Sequence, residues 1–261
     1  MAKHYKPTNK LIIILLIFKI FFIILLIISV RYIIKWFIDS KQNETIKNKI
    51  SEAIIENSLI DEENKNEQII DETSENKDYE IDFNKLKEIN QQVVAWLKVK
   101  GTNIEYPVVQ ANDNSYYLKN NLDKKYNIGG WIFADYKNKL DGTDKNIVIY
   151  GHNMRDNSMF GSLKNILNEE WYNNEENHII DFITEEKHEK YKVFSVYQIK
   201  AEDYYINTDF ENINFENFII TLKNRSINDF NEEVFLEDSI LTLSTCGNNN
   251  KYRIVLHAKK I

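Results

Sequence analysis

Cys246 is the only cysteine among 261 residues, and it closes the strand-like segment SILTLSTC. A lone thiol cannot form an internal disulfide or a multi-cysteine metal site, so it is either an inert buried group or a nucleophile. With a pKa of about 8.5, a free cysteine is only slightly ionised at neutral pH, and nucleophilic use needs a proton carrier or a cation nearby. Alternation along SILTLSTC turns Leu241 and Leu243 one way and Thr242, Ser244 and Cys246 the other. The turn formers GNNN follow at once, and Arg253 opens the next alternating run, RIVLHA. A hairpin across that turn would carry Arg253 back beside Cys246. The same spacing also suits a core cysteine followed by a surface arginine.

Five histidines compete for the role of proton carrier. His4 precedes a long apolar segment, and His178 and His188 sit in charged stretches and read as solvated. His257 shares strand parity with Arg253 but lies four residues, about 13 Å, further along. His152 ends the apolar strand NIVIY, directly after Gly151, and a histidine at a strand end can project into a cleft. Taken alone, a lone histidine at such a place is more often structural.

The elements that must hold these residues begin near residue 80. FNKLKEINQQVVAWLKVKG reads as a helix running into a strand and stopped by Gly101. Short strands are predicted at 104–109, 129–135, 146–152, 190–199, 239–246 and 253–260. SMFGSLKNILNEEWYNN and NFENFIITLKNRS are helical stretches between them. Many short strands with few helices point to a mainly β, closed or nearly closed barrel, not a doubly wound parallel sheet.

Upstream, LIIILLIFKIFFIILLIISV (residues 11–30) is apolar over twenty residues, about the thickness of a bilayer's hydrocarbon core. Lys19 interrupts it, and the apolar character continues to Ile38. The run is longer than a signal peptide's core and no A-x-A-like cleavage site follows, so an uncleaved anchor is expected over 11–38. Basic residues flank it on both sides, so the positive-inside rule does not orient it. Residues 1–10 form a short tail. Residues 39–79 read as a polar stalk, with Ile46, Ile50, Ala53 and Ile54 at helical spacing. Residues 80–261 form the folded domain. From Asp39 onward 27 basic residues face 40 acidic ones, a net −13. That charge argues against binding nucleic acid or an anionic membrane surface.

IVIYGHNMRDNSMFGSLKN, LTLSTC and an arginine opening the following strand together resemble the sortases, membrane-anchored cysteine transpeptidases of Gram-positive bacteria. YPVVQANDNSYYLKNN, GGWIFADYKN, KVFSVYQI and DYYINTDF resemble class B more narrowly. The resemblance implies an eight-stranded barrel with an N-terminal helical extension, and an active site of Cys246, His152 and Arg253. It implies a thioacyl enzyme formed at the threonine of a C-terminal sorting signal and resolved by a cell-wall peptide amine. Partners would be secreted proteins bearing that signal and peptidoglycan or its precursor. No metal or organic cofactor is implied, and the catalytic domain would lie outside the cell. Asn114, Leu118, Tyr205, Ile206 and Ser244 match the class's substrate-groove positions. The chain departs in its short cysteine-to-arginine segment, with Gly247 where some class B members carry an acidic residue. NPQTN-like, LPXTG-like and (S/P)PXTG-like signals are thus all open. Two further readings remain: a sortase-fold protease that hydrolyses its thioester, and a membrane-tethered binding module without turnover.

Overall fold

A computed structural model describes residues 9–56, 79–246 and 251–261. The first eight residues, most of the stalk, and Gly247 with its turn lie outside the described residues. The chain divides into two compact units, Met1–Thr45 and Ile46–Ile261. The described part of the first, residues 9–45, lies within helix α1 (Asn9–Ser51). Its apolar stretch is long and apolar enough to cross a membrane, and no side chain of its most apolar window is buried in the protein.

The second unit starts earlier than the expected boundary at residue 80. Ile46, Ile50 and Ala53 are buried in one core with Ile81, Phe83 and Leu86. Strand β1 (Ile54–Glu56) pairs antiparallel with β2 (Tyr79–Ile81). The helical spacing noted inside the polar run is therefore a buried stripe. Its few apolar residues were outnumbered by charges on the other helical faces.

Helix α2 (Phe83–Ile89) begins where the Asp82 carboxylate accepts the Lys85 amide at 3.1 Å. Then come β3 (Val93–Val99), β4 (Ile104–Val109), β5 (Phe133–Ala134), β6 (Asn146–Gly151), α3 (Glu169–Tyr172), β7 (Ile179–Ile183) and β8 (His188–Lys200). Helix α4 (Phe215–Arg225), β9 (Ile240–Cys246) and β10 (Tyr252–Lys260) complete the chain. Strands β3 to β10 close a barrel in the order β10-β8-β7-β3-β4-β5-β6-β9. Most neighbours run antiparallel; β4–β5 and β6–β9 are parallel.

Two strands depart from the sequence pattern. The expected strand 129–135 shrinks to Phe133–Ala134, because the Trp131 amide donates to Tyr117 O at 2.9 Å instead of joining the ladder. Gly130 permits this approach: its φ is +54°, and a Cβ there would meet Tyr117 O at 2.3 Å. β7 was not foreseen. Its five residues, IIDFI, carry a strand-averse Asp181 and are flanked by charged runs.

Alternation on the last two strands separates two cores. Leu241, Leu243, Ile254, Leu256 and Ala258 face the barrel's interior cluster. Val255 and Ile240 join Tyr197, Tyr205, Phe218 and Leu222 in a second cluster with α4. His257 is fully buried, close to the Phe194, Tyr197 and Tyr205 rings of that cluster. Burial penalises its cation and pushes its pKa down to about 3. The unfolded chain would bind a proton below about pH 6.5 that the folded chain refuses. The stability His257 contributes is thus complete above about 6.5 and is lost as pH falls towards 3. Acidifying to pH 5 is expected to remove about 2 kcal/mol by this route. Thermal unfolding of the full chain in detergent at pH 7 and 5 checks it. The drop should be smaller in His257→Gln, and equal drops would refute the assignment.

His178 corrects another expectation. It is buried, with its ring against Trp171 and Phe230 and its Nε2 3.0 Å from Tyr172 O. The charged residues around it in sequence point elsewhere. His188 stays partly exposed beside Asp181 at 2.9 Å.

Candidate active site

Two registers place the chemistry-bearing residues at one rim of the barrel. In the parallel pair β6–β9, Gly151 lies opposite Thr245. His152 and Cys246 are therefore the next residues at the same end of adjacent strands, whose backbones run about 5 Å apart. In the antiparallel pair β9–β10, Cys246 lies directly opposite Arg253. Three neighbouring strands thus bring a thiol, an imidazole and a guanidinium to one edge.

That edge borders a cleft of about 530 Å³, within the usual range for ligand sites. His152 and Arg253 line it, as do Asn114, Leu118, Tyr205, Ile206 and Ser244. Apart from Cys246, placed here by its backbone register, every site residue that the class resemblance marked lines this one cleft. His257 does not: it pairs with Thr242, further down the strand.

Each wall has a local cause. The short helical turn Tyr116–Leu118 starts where the Asp113 carboxylate accepts the amides of Ser115 and Tyr116, at 2.6 and 2.8 Å. These bonds hold the fully exposed Asp113 carboxyl below its ordinary pKa, the Ser115 hydroxyl contributing first. Buried Tyr117 anchors the turn by donating to Gln92 Oε1 at 2.6 Å and accepting from Asn90 at 2.8 Å. The turn presents Leu118 O to His152 Nε2 at 2.7 Å. A carbonyl can only accept, so Nε2 carries a proton and Nδ1 is the nitrogen left for proton exchange.

Asn114 is not a loose amide. Its Nδ2 donates to Asp135 Oδ2 at 2.8 Å, and its Oδ1 accepts the Tyr136 amide at 3.0 Å. The Tyr150 hydroxyl donates to the same Asp135 oxygen at 2.8 Å. Burial, then the Asp135 charge, drives the Tyr150 phenol well above its ordinary pKa, which keeps it a donor. Tyr150 and Asp135 were missed from sequence. Tyr150 carried a signal, since it sits two residues before His152 and shares its strand face. Asp135 carried none, because its partners come from other elements. On the opposite wall, buried Tyr205 meets the Ser244 hydroxyl at 3.0 Å, and Ile206 follows it. Glu202, whose carboxylate is paired with Arg225 at 3.0 Å, and Asp203 also line the cleft.

A cation and an imidazole set at the end of the strand that carries a lone cysteine can ionise a thiol and steady an oxyanion. Known proteins resemble the chain in sequence and fold. The sortase domain model matches residues 97–261. Sortase B of Staphylococcus aureus is 37% identical over 185 residues, covering 69% of this chain and 74% of that protein. The chain belongs to the sortase family, in class B. The crystal structure of Clostridium perfringens sortase B superposes with a TM-score of 0.64 at 39% identity, covering 69% of this chain and 99% of that one. Bacillus anthracis sortase B in complex with AAEK1 gives 0.69 at 32% identity, covering 86% and 99%. This sortase is accordingly a cysteine transpeptidase with the closed barrel of its class.

Proposed function

We propose that this sortase cleaves a C-terminal sorting signal after threonine and joins the protein to a cell-wall peptide amine. Cys246, as thiolate, attacks the threonine carbonyl carbon, and the carbonyl oxygen takes up the electron pair. Arg253 holds the substrate backbone and stabilises that oxyanion. Collapse to the thioester expels the downstream amine, which takes a proton from His152. The incoming amine then gives a proton to His152, attacks the thioester and releases Cys246. Asn114, Leu118, Tyr205, Ile206 and Ser244 form the groove for the signal. Residues 11–38 would anchor the enzyme in the membrane as a single pass, with the barrel outside.

The observation supporting this reading most is the pair of registers that sets His152, Cys246 and Arg253 on neighbouring strands beside one cleft. The test is product analysis. The full-length chain in detergent is incubated with NPQTN-, LPXTG- and (S/P)PXTG-type peptides, with and without a cell-wall peptide amine. The expected product, identified by mass, is the N-terminal fragment joined through its threonine carboxyl to the amine. No cleavage of any peptide would overturn the reading. Hydrolysis that ignores the added amine would leave a protease instead of a transpeptidase.

A further inference from the structure

Behind the cleft runs a chain of buried polar groups whose donors and acceptors can be assigned without ambiguity. Asn146 is fully buried, and its Nδ2 donates to the carbonyls of Tyr205 and Asn207 at 3.3 and 2.9 Å. With both amide protons so used, its Oδ1 accepts from the Thr242 hydroxyl at 2.6 Å. Thr242 Oγ1 has then spent its proton, so at 2.8 Å it must accept from His257 Nδ1. The imidazole, kept neutral by burial, carries its single proton on Nδ1 and accepts at Nε2 from the Tyr197 hydroxyl, 2.8 Å away. Tyr197 in turn accepts from Tyr204 at 3.1 Å.

The bonds all point one way, and they begin and end on the same turn. Tyr204 starts the chain; the carbonyls of Tyr205 and Asn207 finish it. The short helical turn between them, Tyr204–Ile206, is the cleft wall that carries Tyr205 and Ile206. Only a group that donates at one end and accepts at the other can sit between Thr242 and Tyr197. A neutral Nδ1–H imidazole does both.

We propose that His257, acting through Thr242 and Asn146, is a positioning residue that fixes the Tyr204–Asn207 wall of the substrate cleft. It touches neither the reacting atoms nor the peptide, so its effect falls on how the peptide is held. This rests on the reading of the cleft as the sorting-signal groove, but the bracing of the wall can be tested without substrate.

Thr242→Val keeps the side chain's shape and removes the link; Thr242→Ser keeps the hydroxyl. In the full-length chain in detergent, amide exchange at 204–207 is expected to rise at least about tenfold in Thr242→Val, with the β3, β4 and β7 amides unchanged, and to return in Thr242→Ser. On a peptide the unmodified chain cleaves, KM should rise about five- to tenfold with kcat within about twofold, again reversed by serine. Selective 15N-histidine labelling of the unmodified chain, with His257→Gln to assign the signal, should show a neutral Nδ1–H tautomer from pH 8 to 5. An Nε2–H tautomer would overturn the proposal even if Thr242→Val did not fold. Exchange that accelerates over the whole barrel, or not at all at 204–207, would also overturn it, as would a fall in kcat at constant KM. If the unmodified chain cleaves no peptide, the functional reading fails, while the exchange and tautomer results still decide the bracing.

Discussion

Replacing Cys246 with alanine is expected to abolish cleavage of every sorting peptide the full-length chain turns over, a loss of at least about 10³-fold in kcat/KM. The size follows from the chemistry. Without sulfur there is no thioester, and the reaction must proceed by direct attack of water or amine on an unactivated amide. The other cleft residues supply no substitute nucleophile of comparable softness. Ser244 shares the strand face, but its hydroxyl is buried and engaged with Tyr205 at 3.0 Å. The measurement is peptide turnover by mass, with unfolding temperature as a control. Cys246 closes a strand and lies opposite Arg253 in the register, so alanine there should leave the barrel's stability nearly unchanged. Cleavage that persists would dismiss the thiol as nucleophile.

Why the sequence suggested this thiol, yet left it ambiguous, is a matter of contact distance along the chain. Strand parity and the GNNN turn were local signals, and they made Arg253 a neighbour of Cys246 in principle. The partnership of Cys246 with His152 is not local. It depends on β6 pairing in parallel with β9, far along the chain, and no periodicity in either strand encodes that choice. Family resemblance supplied it. The long strands β8, β9 and β10 were legible through local patterning as well, although β9 and β10 bury both faces, one in the barrel's interior and the other towards the α4 cluster and its polar partners. β5 and β7 were not, since one is held mainly by a turn contact at Gly130 and the other carries a charge mid-strand.

Histidines were the hardest to read. His178 and His257 are both buried polar groups whose partners come from elsewhere in the fold: Tyr172 O for one, Thr242 and Tyr197 for the other. Charged sequence neighbours say little about such sites, because a buried imidazole is decided by the donors and acceptors that meet it. The cleft wall Tyr205–Ile206 shows the same limit. The class resemblance marked these residues, but the groups that brace them lie on β6, β8, β9 and β10.

Arg253→Lys is expected to lower kcat at least about a hundredfold while changing KM by no more than about threefold. Charge is retained, so a large loss must come from geometry. The guanidinium offers a planar fork of fixed donors, and here one of them is already committed: Nη1 donates to Tyr252 O at 3.2 Å. That bond helps to orient the plane at the position opposite Cys246. An ammonium on a flexible stem is shorter, is more strongly hydrated, and presents one point from which all its donors diverge. It cannot keep the backbone carbonyl and meet a developing oxyanion in the same pose. Because the oxyanion exists only on the way to and from the thioester, its loss appears in kcat more than in KM. Single-turnover acylation measured beside steady-state rates separates the steps, and both should slow, since formation and resolution of the thioester pass through similar tetrahedral species. Near-normal turnover in Arg253→Lys would remove Arg253 from the oxyanion role and leave it only as a holder of substrate backbone.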